Sequence, residues 1–234
     1  MADNKSMRND TRINTNYRSP ITDNSVTTLL REEVSNAILK YRNQIEGYIR
    51  EDPLFQTSLK PLPADGNAPE IIRTMQEASL KVGVGPFASV AGAIAEFVGR
   101  ELLKYSKEVI VENGGDIFLK TLRKRRIGIF AGKSKFSNRL ALEISPDETP
   151  LGVCTSSGTV GHSLSFGRAD AVVVVSGSTS LADASATAIG NLIKKKEDIP
   201  RGIERAKKIE GLKGVVIIKD DKLGVWGDLR LIRT

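Results

Sequence analysis

The sequence predicts an α+β fold in which an antiparallel sheet packs against helices. Apolar residues recur every three or four positions through the first hundred residues, which is typical of helices, whereas short strand-like apolar runs cluster later. Two tight-turn signals, Asn113–Asp116 and Asp220–Asp221, separate such runs and predict hairpins. Residues 1–11 are polar and predict a disordered tail, and residues 12–234 are expected to form one domain.

The predicted helices have recognisable ends. The first carries apolar residues at helical spacing from Leu30 to Tyr48 and stops before Pro53. Asn67 is suited to cap the second helix, with Pro69 in its first turn. Further helices are expected over Pro86 to about Tyr105, Leu181–Lys195 and Arg201–Ile209.

The strands follow from short apolar runs bounded by turn residues. They are predicted at Val109–Glu112, Ile117–Lys120, Arg126–Ala131, Arg139–Ile144, Ala171–Ser176, Val215–Lys219 and Leu223–Trp226, with a further hairpin within Arg12–Leu30. The hydroxyl-rich stretch from Thr155 to Gly158 reads as a loop.

Composition narrows the functional classes. A single cysteine, Cys154, excludes an internal disulfide framework and indicates a reducing cytoplasm, and no signal peptide is predicted because residues 1–24 lack an apolar run. Val82–Gly99 is nearly free of charge, but Pro86 and several glycines interrupt it, which favours a buried helix over a membrane span.

The net charge of +7 is concentrated in two basic stretches, Lys120–Arg139 and Lys194–Lys208. Few aromatic residues and no nucleic-acid motif accompany them, so nucleic-acid binding is disfavoured. A phosphate-bearing small ligand stays open as a partner for these charges.

Two enzyme motifs fail on their context. Residues 161–165, Gly-His-Ser-Leu-Ser, resemble a hydrolase nucleophile elbow, but no histidine follows the serine and His162 is the only one in the chain. Residues 128–134, Gly-Ile-Phe-Ala-Gly-Lys-Ser, are one residue short of a phosphate-binding P-loop and are expected to be a strand that ends in a glycine turn.

Asp183 and Thr187 form a candidate magnesium site. They are four residues apart in a predicted helix, so the carboxylate and the hydroxyl share one face. Oxygen ligands of this kind could hold one side of a Mg²⁺ ion while phosphate and water complete its shell. The competing interpretation is an Asp that stabilises a helix N-terminus and a Thr that packs among small residues.

Four motifs in sequence order resemble the ApbE-like superfamily of FAD:protein FMN transferases. They are the stretch from Val111 to Ile117, the stretch from Thr155 to Gly158, His162 with Gly167–Arg168, and Ala182–Ala188. The similarity is closest to a branch from archaea and anaerobic bacteria that has no assigned biochemical role, and it includes Val82–Pro86. The resemblance implies a T-fold-like core.

The resemblance also implies a ligand, FAD or FMN, and a set of site residues. Cofactor-binding positions would be Gly85, Gly114, Gly115, Asp116, Thr155, Ser156, Ser157, Gly158 and His162, and Asp183 and Thr187 would hold Mg²⁺ against the pyrophosphate. In the transferase reaction a hydroxyl of a protein acceptor attacks the FMN phosphorus and AMP leaves.

Parts of the transferase pattern are missing. Val84 stands where transferases have Lys before Gly85, the nearby acid is replaced near Ser89, and the motif after His162 lacks its carboxylate. The resemblance therefore favours binding of a flavin or nucleotide over flavin transfer, with His162 as the candidate catalytic residue.

Two alternatives stay open. The chain could be a non-flavin accessory protein of sulfur assimilation, with Cys154 as the only thiol able to carry sulfur, although a small buried side chain is the favoured interpretation of Cys154. It could also be a binding scaffold without catalysis. Gly92 and Gly99 allow close helix packing and suggest a homodimer.

Overall fold

The computed structural model describes residues 11–14, 24–160 and 165–234. The helices are α1 (Asn24–Glu51), α2 (Leu54–Thr57), α3 (Glu70–Val82), α4 (Val90–Leu102), α5 (Thr179–Gly190) and α6 (Ile199–Lys207), and a 3₁₀ turn (Pro86–Ser89) leads into α4. The strands are β1 (Thr11–Asn14), β2 (Val109–Asn113), β3 (Asp116–Lys120), β4 (Arg125–Gly128), β5 (Leu140–Ile144), β6 (Leu151–Ser156), β7 (Ala171–Ser176), β8 (Leu212–Lys219), β9 (Lys222–Gly227) and β10 (Leu231–Arg233).

The strands form two antiparallel sheets. A seven-stranded sheet has the order β1-β2-β3-β6-β7-β8-β9, and a three-stranded sheet has the order β10-β5-β4. Two predicted hairpins are confirmed, since Val109 pairs with Lys120 and Lys219 pairs with Lys222. The third, within Arg12–Leu30, is wrong, because β1 pairs with β2 and α1 already begins at Asn24. The observed architecture is therefore the predicted α+β class.

The large sheet is the middle layer of the molecule. Val172 and Val174 of β7 pack with α3, α5 and α6, whereas Val173 and Val175 pack with the small sheet. This alternation follows from the two-residue repeat of a strand and explains why β7 is apolar along its length. A further core lies between α1, α3 and α4 and the strands β2 and β3.

Helix α4 packs unusually close to its neighbours. A Cβ on Gly92 would lie 2.6 Å from the Thr179 carbonyl oxygen, and one on Gly99 would lie 2.1 Å from a Phe118 ring carbon. The two glycines expected to support a homodimer are therefore used within the chain, and they give that interface no support.

Several predicted boundaries were wrong. Pro69, not Asn67, is the N-cap of α3, and the Asn67 amide donates to Asp65 Oδ1 at 2.9 Å. Thr155 and Ser156 belong to strand β6 rather than to a loop. The sequence does not predict β6, because close packing against α5 requires small residues where a strand usually has bulky apolar ones. A Cβ on Gly152 would lie 2.4 Å from the Thr179 Cα.

Two further predictions concern the chain ends and membranes. β1 begins at Thr11, one residue inside the predicted tail, and residues 1–10 and 15–23 lie outside the described part. In that described part no single helix is long and apolar enough to cross a membrane, and the pair Glu70–Val82 and Pro86–Leu102, bent by 105°, meets such a test by length and composition only.

Candidate functional site

The candidate cation site begins with Asp183 on α5. Ser178 starts the helix by accepting the Leu181 amide proton on its Oγ at 3.3 Å. One turn on, Asp183 is only 9% exposed, and its Oδ2 accepts the Gly92 amide proton at 2.8 Å. Asp183 therefore caps the N-terminus of α4. The sequence-based alternative, in which Asp183 stabilises the N-terminus of its own helix, is wrong in this respect.

A second buried carboxylate, Asp116, faces the same region. It opens β3 directly after the Gly114–Gly115 turn, and its Oδ1 accepts the Thr155 amide proton at 3.2 Å. Burial raises the pKa of Asp116 to about 7, against the smaller lowering effect of hydrogen bonds from Cys154 and Thr155. A large part of the Asp116 population therefore carries a proton near neutral pH.

The two carboxylates act on each other. Burial raises the pKa of Asp183 well above its usual range, and the negative charge of Asp116 raises it further, while the Gly92 and Ala91 amides lower it. Within the described residues neither Asp forms an ion pair with Lys or Arg. A cation bound beside both carboxylates would offset the cost of burying their negative charges and the repulsion between them.

Cys154 lies against this pair. Its side chain is fully buried, and its Sγ donates to the Thr179 carbonyl oxygen at 3.3 Å. Burial raises the pKa of the thiol well above its usual range, and the charges of Asp116 and Asp183 raise it further. Burial disfavours the thiolate, which is the reactive form, so the structure supports the favoured interpretation of Cys154 as a small buried packing residue.

Thr187 completes the predicted pair from the same helix. It lies one turn beyond Asp183 and is partly exposed, while the residues on either side of it are buried. Within the described residues no group of three or more His, Cys, Asp or Glu side chains could hold a metal ion. Mg²⁺ suits such a sparse set, because it usually takes one or two carboxylates and completes its shell with water and phosphate.

The predicted cofactor-binding glycines divide into two kinds. Gly114 and Gly115 have φ of 65° and 102°, and a Cβ on either would meet nothing within 4 Å. Their turn therefore needs glycine for its conformation and leaves its backbone open to a ligand. Gly85 and Gly158 instead pack on protein, because added Cβ atoms would lie 1.7 Å from the Ser58 and 2.2 Å from the Gly167 carbonyl oxygens.

The hydroxyl-rich segment is partly committed to its own turn. Ser157 Oγ accepts the Thr159 and Val160 amide protons at 3.2 and 3.0 Å. Ser156 faces the end of α5, since a Cβ on Gly190 would lie 3.4 Å from its Oγ. Of the predicted set, the structure brings Asp116, Thr155 and Asp183 together, and His162 lies outside the described residues.

Sequence reasoning missed Glu96, which holds α5 in place. This α4 side chain is 1% exposed, and its Oε2 accepts from the Ser180 amide and hydroxyl at 3.0 Å each and from the Ser178 hydroxyl at 3.1 Å. Its Oε1 accepts from Arg100 at 2.5 Å. Each helix thus caps the other, because Glu96 of α4 accepts from the first turn of α5 and Asp183 of α5 accepts from the first turn of α4. A charge inside an apolar helix stripe was the available signal.

The fold matches that of solved flavin transferases. The flavin transferase ApbE from Vibrio cholerae aligns with a TM-score of 0.50 and 16% identity, and a mutant of that enzyme with 0.53 and 17%, each match covering 92% of both chains. At such identity the likeness defines the class of fold, which is ApbE-like.

Sequence comparison defines the family. A family model described as AbpE bacteria matches residues 21–220. The UPF0280 protein of Methanococcus aeolicus is 41% identical over 94% of this chain and 90% of its own length, and that of Methanocaldococcus jannaschii is 41% identical over 87% and 85%. The chain belongs to the UPF0280 family of ApbE-like proteins, as the sequence motifs predicted.

Proposed function

We propose that this protein binds a flavin nucleotide, FAD or FMN, together with Mg²⁺. The observation that carries the proposal is the pair of buried carboxylates, Asp116 and Asp183, with the Thr187 hydroxyl one turn from Asp183. The ApbE fold and the UPF0280 family support a flavin ligand.

Each part of the site has a role that its chemistry allows. Asp183 and Thr187 would hold Mg²⁺, which when bound would neutralise phosphate charge. Burial raises the pKa of Asp116 to about 7, so a cation bound beside it would favour loss of its proton and gain a second negative charge. The open Gly114–Gly115 turn lets the nucleotide approach the backbone without a side chain between them.

Binding is better supported than transfer of FMN to a protein acceptor. Val84, at the position of the transferase lysine, is buried in a core cluster and offers no charge to a phosphate. His162 is the remaining candidate base for activation of an acceptor hydroxyl. Burial of Cys154 disfavours the alternative in which this thiol carries sulfur, because a carrier thiol must be reached by its partners.

A ligand panel tests the proposal. Isothermal titration with FAD, FMN, ADP and AMP, each with and without Mg²⁺, should show binding of a flavin nucleotide that is at least ~10-fold tighter with the cation. AMP, which has neither a pyrophosphate nor a flavin, is the expected weak ligand. A folded sample that binds none of the four, with Mg²⁺ present, would contradict the proposal.

A further inference from the structure

The second basic stretch of the sequence, Lys194–Lys208, lines a surface groove that has no role in the proposed flavin site. Arg201 and Arg205 of α6 and Lys208 at its C-cap follow at intervals of four and three residues, which puts them on one side of the helix. Its other side is firmly packed, since a Cβ on Gly202 would lie 2.7 Å from the Ile217 Cδ1. The positions of the three basic residues are therefore set by the core.

These side chains border a groove of about 520 Å³ between α6 and the ends of α3 and α5. Val82, Ala188 and Leu192 contribute an apolar lining, and the three basic residues contribute a charged wall. Such a combination suits a small ligand that has an anionic group and an apolar part.

The positive charge at this groove is only partly compensated, since Asp198 interacts with Arg201 and Glu204 with Lys208 without close ion pairs. Arg205 donates to the Val82 carbonyl oxygen at 2.8 Å and so satisfies the end of α3. Among the described residues that line the groove the one acid is Glu204, which pairs with Lys207 at 2.7 Å. In the described part of the chain Arg201 and Lys208 form no ion pair.

The groove lies farther along the same helix than the cation site. Asn191, which follows Thr187 by four residues and lines the groove, is about 6 Å along the helix axis from it. Its Oδ1 accepts the Phe166 amide proton at 2.9 Å, so this wall is also anchored. No Mg²⁺ ligand of the proposed site belongs to the groove lining.

We propose that this groove is a separate binding site for a phosphorylated small molecule, held by Arg201 and Lys208 and independent of Mg²⁺. Arginine presents paired N–H donors that match phosphate oxygens, and the lysine ammonium adds a second positive charge. The apolar lining receives the uncharged part of the ligand.

The test titrates ADP and inorganic pyrophosphate into the full chain in buffer with EDTA, so that the cation site cannot contribute. The double variant Arg201→Gln, Lys208→Gln is compared with a charge-matched control, Lys60→Gln, Lys222→Gln, whose exposed lysines lie outside the groove. We expect the groove variant to lose at least ~10-fold in ADP affinity and the control less than ~2-fold, with pyrophosphate weaker than ADP because it lacks an apolar part.

Three results would overturn the inference. The first is a wild type that does not bind ADP in EDTA at concentrations up to about 10 mM. The second is an equal loss in the groove variant and the control, which would show general charge attraction only. The third is citrate binding as tightly as ADP with the same dependence on Arg201 and Lys208, which would assign the groove to carboxylates. Each of these leaves the Mg²⁺-dependent flavin proposal untouched.

Discussion

Helices α4 and α5 bury two carboxylates in different ways. Glu96 is surrounded by donors from Ser178, Ser180 and Arg100, which occupy both of its oxygens. Asp183 has backbone amides on one side and another buried acid, Asp116, on the other. The same helix pair therefore contains one acid whose charge is satisfied by the protein and one whose charge calls for a proton or a cation.

The largest expected effect is on the pH dependence of stability. The pKa of Asp116 is about 7 in the folded chain and 3.8 in its ordinary state, so the folded chain holds the extra proton between these values. The free energy of unfolding should fall as the pH rises from about 4 to about 7, by up to ~4 kcal/mol from Asp116 alone. Asp183 changes stability in the same direction.

Urea unfolding across this pH range measures the effect. Asp116→Asn should remove the Asp116 share of the slope and leave the share of Asp183, whereas Asp228→Asn, at an exposed position, should leave the whole slope as in the wild type. Equal slopes in the wild type and Asp116→Asn would mean that the two acids are not strained, and the contrast with Glu96 would then disappear.

The Glu96 side of the comparison is tested by truncation. Glu96→Ala should lower the free energy of unfolding by about 3 kcal/mol, because the buried Ser180 amide and hydroxyl lose their acceptor. Glu96→Gln keeps an acceptor and should lose less than half of that amount. Chemical denaturation decides the point, with Glu210→Ala as the exposed control. A loss below about 1 kcal/mol would rule out a structural role for this acid.

Gly92 lies at the close contact between α4, which carries Glu96, and α5, which carries Asp183. A substitution at Gly92 tests this contact directly. Gly92→Ala should cost about 2 kcal/mol, since the new methyl would lie 2.6 Å from the Thr179 carbonyl oxygen and 2.7 Å from the Asp183 Cβ. Gly128→Ala, where nothing lies within 4 Å, is the control for a glycine change in a structured element. A melting temperature unchanged by Gly92→Ala would show that α4 and α5 have room for a methyl group between them and do not pack this closely.

The smallest effect on stability is expected for Asp183→Asn, the variant that should lose Mg²⁺-dependent binding of FAD completely. Asp183→Asn should leave the apo protein within about 1 kcal/mol of the wild type, or more stable, because a buried acid whose charged form is disfavoured is replaced by a neutral side chain that still offers an acceptor to Gly92. The same variant should lose the rise in melting temperature that Mg²⁺ plus FAD gives the wild type.

Thr187 supplies the matched comparison for that experiment. Thr187→Val should weaken the Mg²⁺-dependent stabilisation without a change in net charge, and Thr187→Ser, which keeps the hydroxyl, should preserve it. Wild-type stabilisation in both Asp183→Asn and Thr187→Val would show that the cation site is wrong and that the family likeness describes the fold alone.

Local patterns determined much of this molecule. The helical repeat from Leu30 to Tyr48, the Gly114–Gly115 turn and the valine run of β7 are set by neighbours within a few residues, so the sequence alone predicted them. The four-residue spacing of Asp183 and Thr187 also predicted a shared helix face, which the extent of α5 confirms.

The tertiary structure decided which charges meet. Glu96 contacts Ser180 across 84 positions, Asp183 contacts Gly92 across 91, and Thr155 contacts Asp116 across 39. No local preference encodes such contacts, because they arise only when α4 and α5 approach over glycine and the sheet brings β3 beside β6. Burial then raises the pKa values of Asp116 and Asp183, and burial is a property of the assembled core rather than of the residues themselves.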